Sequence, residues 1–145
     1  MYRLIPVFIL VFVLLSCNQD SKLIPEELVD SNFRFAEEQL EGMAALLDTR
    51  SFLPRSVNTG ELRLVKPSDW TSGFFPGNLW FMYEYTRDEK WKERAEYYTA
   101  AIEKEKYNGR THDMGFKMMC SYGNAYRLTK KPDFKAVLLE GAATL

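Results

Sequence analysis

The sequence predicts an all-α protein assembled from helical hairpins. Three observations carry that prediction. Apolar residues recur at alternating steps of three and four, which places them along one face of a helix. Segments that are apolar nearly all round alternate with segments that are half polar. A pattern also returns after about forty residues, a period typical of stacked helix pairs.

Pro25, Glu26 and Glu27 make a good helix opening, with a proline in the first turn and acids near the positive end of the dipole. Val29, Phe33, Ala36, Leu40, Met43 and Leu47 then form one stripe, with Glu37, Glu38 and Glu41 on the wet side. The helix is expected to end near residues 48–50. Residues 51–68 read as a loop, with Pro54, a turn at Asn58-Thr59-Gly60, Pro67 and short extended pieces around 62–65. Its length suits either a plain connector or a site entrance that uses Arg55 and Arg63.

From about Pro76 a buried helix carries Leu79, Trp80, Met82, Tyr83 and Tyr85. Asp88 is the expected N-cap of a half-polar helix with Trp91, Ala95, Tyr98 and Ile102 inward, closed at Asn108 and Gly109. A second apolar helix begins around residues 113–115 and runs through Phe116, Met118, Met119, Cys120, Tyr122, Ala125 and Tyr126 to Lys130. Asp133 is the expected cap of a last helix with Phe134, Leu138, Ala142 and Leu145 inward.

The repeat appears when Tyr85-Thr86 and Trp91-Lys92 are laid over Leu128-Thr129 and Phe134-Lys135. Gly73-Phe74 then falls on Gly115-Phe116 with a gap of about one residue. Each unit is an inner apolar helix followed by an outer amphipathic one. The short turns lie at one end of such an array, and the irregular connections before the inner helices lie at the other. Asp69-Trp70 and His112-Asp113 therefore belong to one rim. Two units and a part are too few to close a ring, so the chain reads as a fragment.

The chain has 145 residues, a formal net charge of −1 and 46% hydrophobic residues, ordinary for one small globular domain. There is no basic excess, so nucleic acid and anionic lipid are not favoured partners. Aromatic residues make up 14%, which suits a helical core and also stacking on sugar rings. Cys120, beside Met118 and Met119, reads as a small buried thiol.

Residues 1–17 read as an export signal. Arg3 precedes an apolar run over residues 4–15 that is short for a membrane span. Leu14-Leu15-Ser16-Cys17 resembles the bacterial lipobox. That resemblance makes Cys17 the lipid-bearing residue, residues 18–24 a polar tether, and the product a periplasmic or outer-membrane lipoprotein of a Gram-negative bacterium. A non-lipidated signal peptide is the alternative, and the fold is expected over residues 25–145.

On the rim, Asp113 has two readings. It is either the N-cap of its own helix or an acid/base in a cleft lined by Trp70 and Phe74. His112 is a packing residue or a catalyst, and Trp70 a sugar platform or core. Gly73, Gly77 and Gly115 serve close ligand approach or close helix packing. The chain carries no glycine-rich phosphate loop and no histidine-cysteine-acid cluster of metal-binding spacing.

Asp69-Trp70-Thr71-Ser72-Gly73-Phe74-Phe75-Pro76-Gly77-Asn78-Leu79-Trp80 resembles the unsaturated glucuronyl hydrolases, glycoside hydrolase family 88. So do Thr111-His112-Asp113-Met114-Gly115-Phe116 and Ser121-Tyr122-Gly123-Asn124-Ala125. The likeness runs from about Glu26 onward. It implies an (α/α)6 toroid that releases 4,5-unsaturated uronic acid from lyase-generated, glycosaminoglycan-type oligosaccharides. The implied reaction is hydration of a vinyl ether, with no cofactor and no metal. Asp113 would be the family's first catalytic aspartate, with His112, Trp70 and Phe74 at the sugar. The family's second acid would lie beyond residue 145, so the chain alone is expected to be inactive. A non-catalytic helical-repeat lipoprotein that binds glycans or proteins is the alternative, and a related family acting on unsaturated rhamnogalacturonan products fits the motifs less well.

Overall fold

The structure, a computed structural model, describes residues 24–47 and 49–145. The leader with Cys17, and nearly all of the tether, lie outside those residues. The chain divides between Asn32 and Phe33 into two units, a boundary that falls inside the first helix. Among the described residues no helix is long and apolar enough to cross a membrane.

Helix α1 (Glu26–Ala45) starts where the sequence predicts and stops slightly early. In the second unit its apolar stripe lands as expected: Leu40 is buried, and Phe33, Ala36, Met43 and Leu47 pack against the same core.

Residues 51–68 correct the expectation of a loop. Strands β1 (Leu53–Asn58) and β2 (Glu61–Val65) form an antiparallel hairpin. Thr59 and Gly60 both take positive φ, 50° and 86°, and two left-handed residues give the turn that matches strand twist. The pairing passes from Pro54–Leu64 to Ser56–Arg63, leaving Arg55 as the extra residue of a bulge. Proline is tolerated at such a break in the ladder, and the bulge re-aims the side chain beside it.

Four helical segments follow: α2 (Phe74–Thr86), α3 (Glu89–Ala100), α4 (Met114–Met118) and α5 (Asn124–Thr129). The last helix is α6 (Pro132–Thr144). The repeat is visible in the hydrogen bonds that close the inner helices. Arg87 and Lys130 both sit at φ 59°, and their N–H groups donate to Tyr83 and Tyr126 carbonyls. The Thr86 hydroxyl donates to the Met82 carbonyl at 2.8 Å and accepts from the Asp88 N–H. Thr129 does the same with Ala125 and Lys131.

Asp88 caps α3, accepting from the Lys90 N–H at 2.9 Å. Trp91, Ala95, Tyr98 and Ile102 are all buried as predicted. The buried tryptophans are paired: Trp80 Nε1–H donates to Thr99 Oγ1 and Trp91 Nε1–H to Glu37 Oε1.

Three expectations about helix ends and faces are corrected. Helix α3 stops at Ala100 rather than at Asn108, and a separate 3-10 turn spans Glu103–Tyr107. Asp133 makes no cap, because Pro132 already opens α6 with Lys131 before it. The inward face of α6 is Phe134, Val137, Leu138 and Gly141, while Ala142 and Leu145, expected to face inward, are exposed. Two four-residue steps carry Ala142 about 80° around the helix from Phe134, off the buried face, and Leu145 lies past the last helical residue, Thr144.

Candidate active site

The two irregular connections do meet at one rim. Trp70, Phe74 and Phe116 form a triangle, each pair of ring centroids 5.8 Å apart, with edge-on or tilted planes. Such geometries are favoured between aromatic quadrupoles. None of the three is core: they are 42%, 37% and 49% exposed. That settles Trp70 as a surface aromatic. Phe116, read from the sequence as a helix and motif residue but not as a site residue, completes the triangle. The signal was its place after Gly115, matching Phe74 after Gly73.

The triangle exists because two backbones touch. A Cβ on Gly73 would collide with the Phe116 and Lys117 carbonyl oxygens, and one on Gly77 would lie 2.8 Å from the Cys120 oxygen. These glycines therefore serve close helix packing. Gly115 is different, since a Cβ there meets nothing within 4 Å.

Arg55, delivered by the hairpin bulge, donates to Asp69 Oδ2 at 2.7 Å and lies 5.8 Å from the Trp70 ring centre. Asp69 Oδ1 also accepts from the Thr71 N–H and hydroxyl. Burial pushes the Asp69 carboxyl up, but the Thr71 bonds and the Arg55 charge outweigh it and hold it below the usual carboxylate range.

Lys117 is the residue that sequence reasoning passed over. It is fully buried, and its Nζ donates to the Ser68 carbonyl at 2.8 Å and to Glu105 Oε2 at 2.9 Å. It therefore ties the connection before Trp70 to the helix that carries Asp113. A charge inside the apolar run from Phe116 to Cys120 was the available clue.

Asp113 does not behave as a side-chain cap. Its backbone carbonyl accepts from the Phe116 and Lys117 N–H groups, while its carboxyl makes no capping bond. Instead Oδ2 accepts from the Thr111 hydroxyl at 3.3 Å, and Oδ1 lies 3.4 Å from His112 Nε2. The His112 ring is almost wholly exposed and the Asp113 side chain 24% exposed. Cys120 is half-buried, and burial alone pushes its thiol up.

A cleft of about 620 Å³ lies between Ser68 and residues 104–111 and touches the two connections at Ser68 and Thr111. A smaller groove of about 160 Å³, lined by Pro54, Arg55, Phe74 and Asn78 among others, opens beside the triangle. Among the described residues no cluster of three or more His, Cys, Asp or Glu is placed to hold a metal ion.

No family model matches the chain. It is, however, 36% identical over 143 residues to the unsaturated glucuronyl hydrolase of Formosa agariphila, across 94% of this chain and 35% of that protein. Over nearly all of its own length the chain is thus similar to an unsaturated glucuronyl hydrolase. A crystal structure of an unsaturated glucuronyl hydrolase specific for heparin is 41% identical with a TM-score of 0.77, covering 83% of this chain and 33% of the other. A solved variant of such a hydrolase with dGlcA-Glc-Rha-Glc is 27% identical with a TM-score of 0.66, covering 78% and 32%. The chain thus spans about a third of the length of the hydrolases it matches. Its hairpins are an incomplete portion of their (α/α)6 toroid.

Proposed function

We propose that Asp113, His112, Trp70 and Phe74, joined by Phe116, form one wall of a glycoside hydrolase site. The sugar it takes is a 4,5-unsaturated uronic acid at the non-reducing end of lyase-generated, glycosaminoglycan-type oligosaccharides. The observation that carries this is the Asp113 carboxyl, which caps nothing and lies on the rim that also bears three exposed aromatic rings. Apolar ring faces suit the flattened face of an unsaturated pyranose. The rim's other carboxylate, Asp69, is already held by Arg55 and Thr71.

The chemistry is hydration of a vinyl ether. A proton adds at C4, water adds at C5, and the water's proton passes to a carboxylate. The hemiketal so formed then opens and frees the linked sugar. Asp113 assists this addition by accepting a proton from water or by stabilising the positive charge that develops at C5. Chemistry of this kind is shared between two carboxylates in many glycosidases. A chain with a third of its relatives' length supplies one of them, and by itself binds without turnover.

The test uses an unsaturated chondroitin disaccharide and the absorbance of its double bond. The 145-residue chain is expected to leave that absorbance unchanged. Grafted in place of the matching third of the Formosa agariphila enzyme, it is expected to support its loss, and Asp113→Asn in the graft to abolish it with the fold intact. Full turnover by the Asp113→Asn graft would overturn the assignment. We also propose export with a lipid on Cys17, expected as palmitate labelling that disappears in Cys17→Ser.

A further inference from the structure

The two inner helices are repeats, yet they are not the same length. The stretch from Gly115 to Thr129 is one residue longer than the stretch from Gly73 to Thr86. Helix α2 is regular throughout, whereas α4 and α5 are joined by a π-helical turn, Met119–Gly123. The extra residue is absorbed there. A single added residue would otherwise turn one half of the rod about 100° against the other. With the turn in place, Phe116 keeps the same phase to Thr129 that Phe74 has to Thr86. That is why the two phenylalanines stand side by side at the rim.

We propose that this π-turn is a positioning device for the site, with Ser121 and Asn124 as its positioning residues. A π-turn loosens the regular i to i+4 bonding of the carbonyls around it. Two side chains answer for them. The Ser121 hydroxyl donates to the Lys117 carbonyl, and the Asn124 amide donates to the Cys120 carbonyl at 2.9 Å. Asn124 is itself oriented, because its Oδ1 accepts from Arg127, whose guanidinium is held by both Glu84 carboxyl oxygens on α2. The same two carbonyls, of Lys117 and Cys120, also press on Gly73 and Gly77, together with that of Phe116 at Gly73. The glycine seam of the first repeat and the polar side chains of the second thus fix one turn between them. Asp113 and Phe116, just ahead of it, are aimed by it.

The proposal rests on the proposed function only for its glycan arm. Deleting Met119, which is exposed, gives the second rod the length of the first. In that variant the indole N–H resonance of Trp70 is expected to move as Phe116 swings away. The resonances of Trp80 and Trp91, hydrogen-bonded in the core, are expected to stay. Affinity for the unsaturated chondroitin disaccharide is expected to fall about tenfold through the lost aromatic contact. Asn124→Ala is expected to give the same pattern more weakly. Asn124→Ser is expected to restore it, since a serine hydroxyl can reach the Cys120 carbonyl as Thr129 reaches Ala125.

An unmoved Trp70 resonance in the deletion variant, or equal behaviour of Asn124→Ala and the parent, overturns the proposal. If the deletion variant does not fold, the Asn124 pair decides. If the parent binds no disaccharide, the proposed function fails and the Trp70 resonance alone judges the turn.

Discussion

The two connections at the rim carry the same pair of residue types in opposite order: Asp69 and Thr71 in the first repeat, Thr111 and Asp113 in the second. In both, the later residue's N–H donates to the side chain of the earlier one, as Thr71 does to Asp69 and Asp113 does to Thr111. What differs is where the charge falls. In the first repeat the acid lies back toward the hairpin, where Arg55 neutralises it. In the second it lies forward, at the start of a helix, with an exposed histidine beside it. One scaffold thus makes a structural acid and an available one by exchanging two residues two places apart.

The comparison can be broken or sharpened in several ways. The largest effect on stability is expected from Lys117→Met, which removes the bridge between the two connections and leaves Glu105 without its buried cation. Denaturant unfolding should show a loss of about 3 kcal/mol. A smaller loss would mean that Asn108, which also bonds Glu105, carries the load.

The repeat-equivalent glycines come next, with opposite signs. Gly73→Ala drives a methyl into two backbone carbonyls that cannot give way, at a cost of about 2 kcal/mol. Gly115→Ala, with open space around it, is expected to stabilise by about 0.5 kcal/mol. Equal effects at the two sites would remove the seam as an explanation.

Asp69→Asn is expected to cost about 1 kcal/mol near neutral pH through its weakened bonds to Arg55 and Thr71. Its pH dependence follows from the lowered carboxyl. Because the folded form holds the proton less tightly than the unfolded one, the stabilisation is full above about pH 4 and disappears as pH falls through the folded value. Parent and Asp69→Asn stabilities should therefore converge in acid.

Asp113→Asn should change stability least, by no more than about 0.5 kcal/mol, because its carboxyl caps nothing. Clear unfolding of this variant would return Asp113 to the structural role that Asp69 holds.

Much of this was legible in the chain itself. The stripe of α1, the buried face of α3 and the Asp88 cap followed from periodicity and residue type alone. So did the repeat, the shared rim, and the tie to the hydrolases through three short motifs. The hairpin was half legible: Asn58, Thr59 and Gly60 announced a turn, but neither flanking strand alternates cleanly enough to declare itself. Taken alone, Asp113 reads either as a cap or as an acid/base, and aspartate at a helix start usually is a cap. Only the position of Thr111 and His112 around its carboxyl shows that it is not.

By itself the sequence determined which segments are helical, which faces are apolar and that two units repeat, because these depend on neighbours three or four residues away. The tertiary structure alone decided what meets across that distance. Lys117 reaches Ser68, Arg55 reaches Asp69, and Gly73 admits the backbone at Phe116. A one-residue gap in the repeat became a π-turn only because Ser121 and Asn124 could satisfy its carbonyls against a glycine seam. Such contacts join residues dozens of positions apart, and no local pattern encodes them.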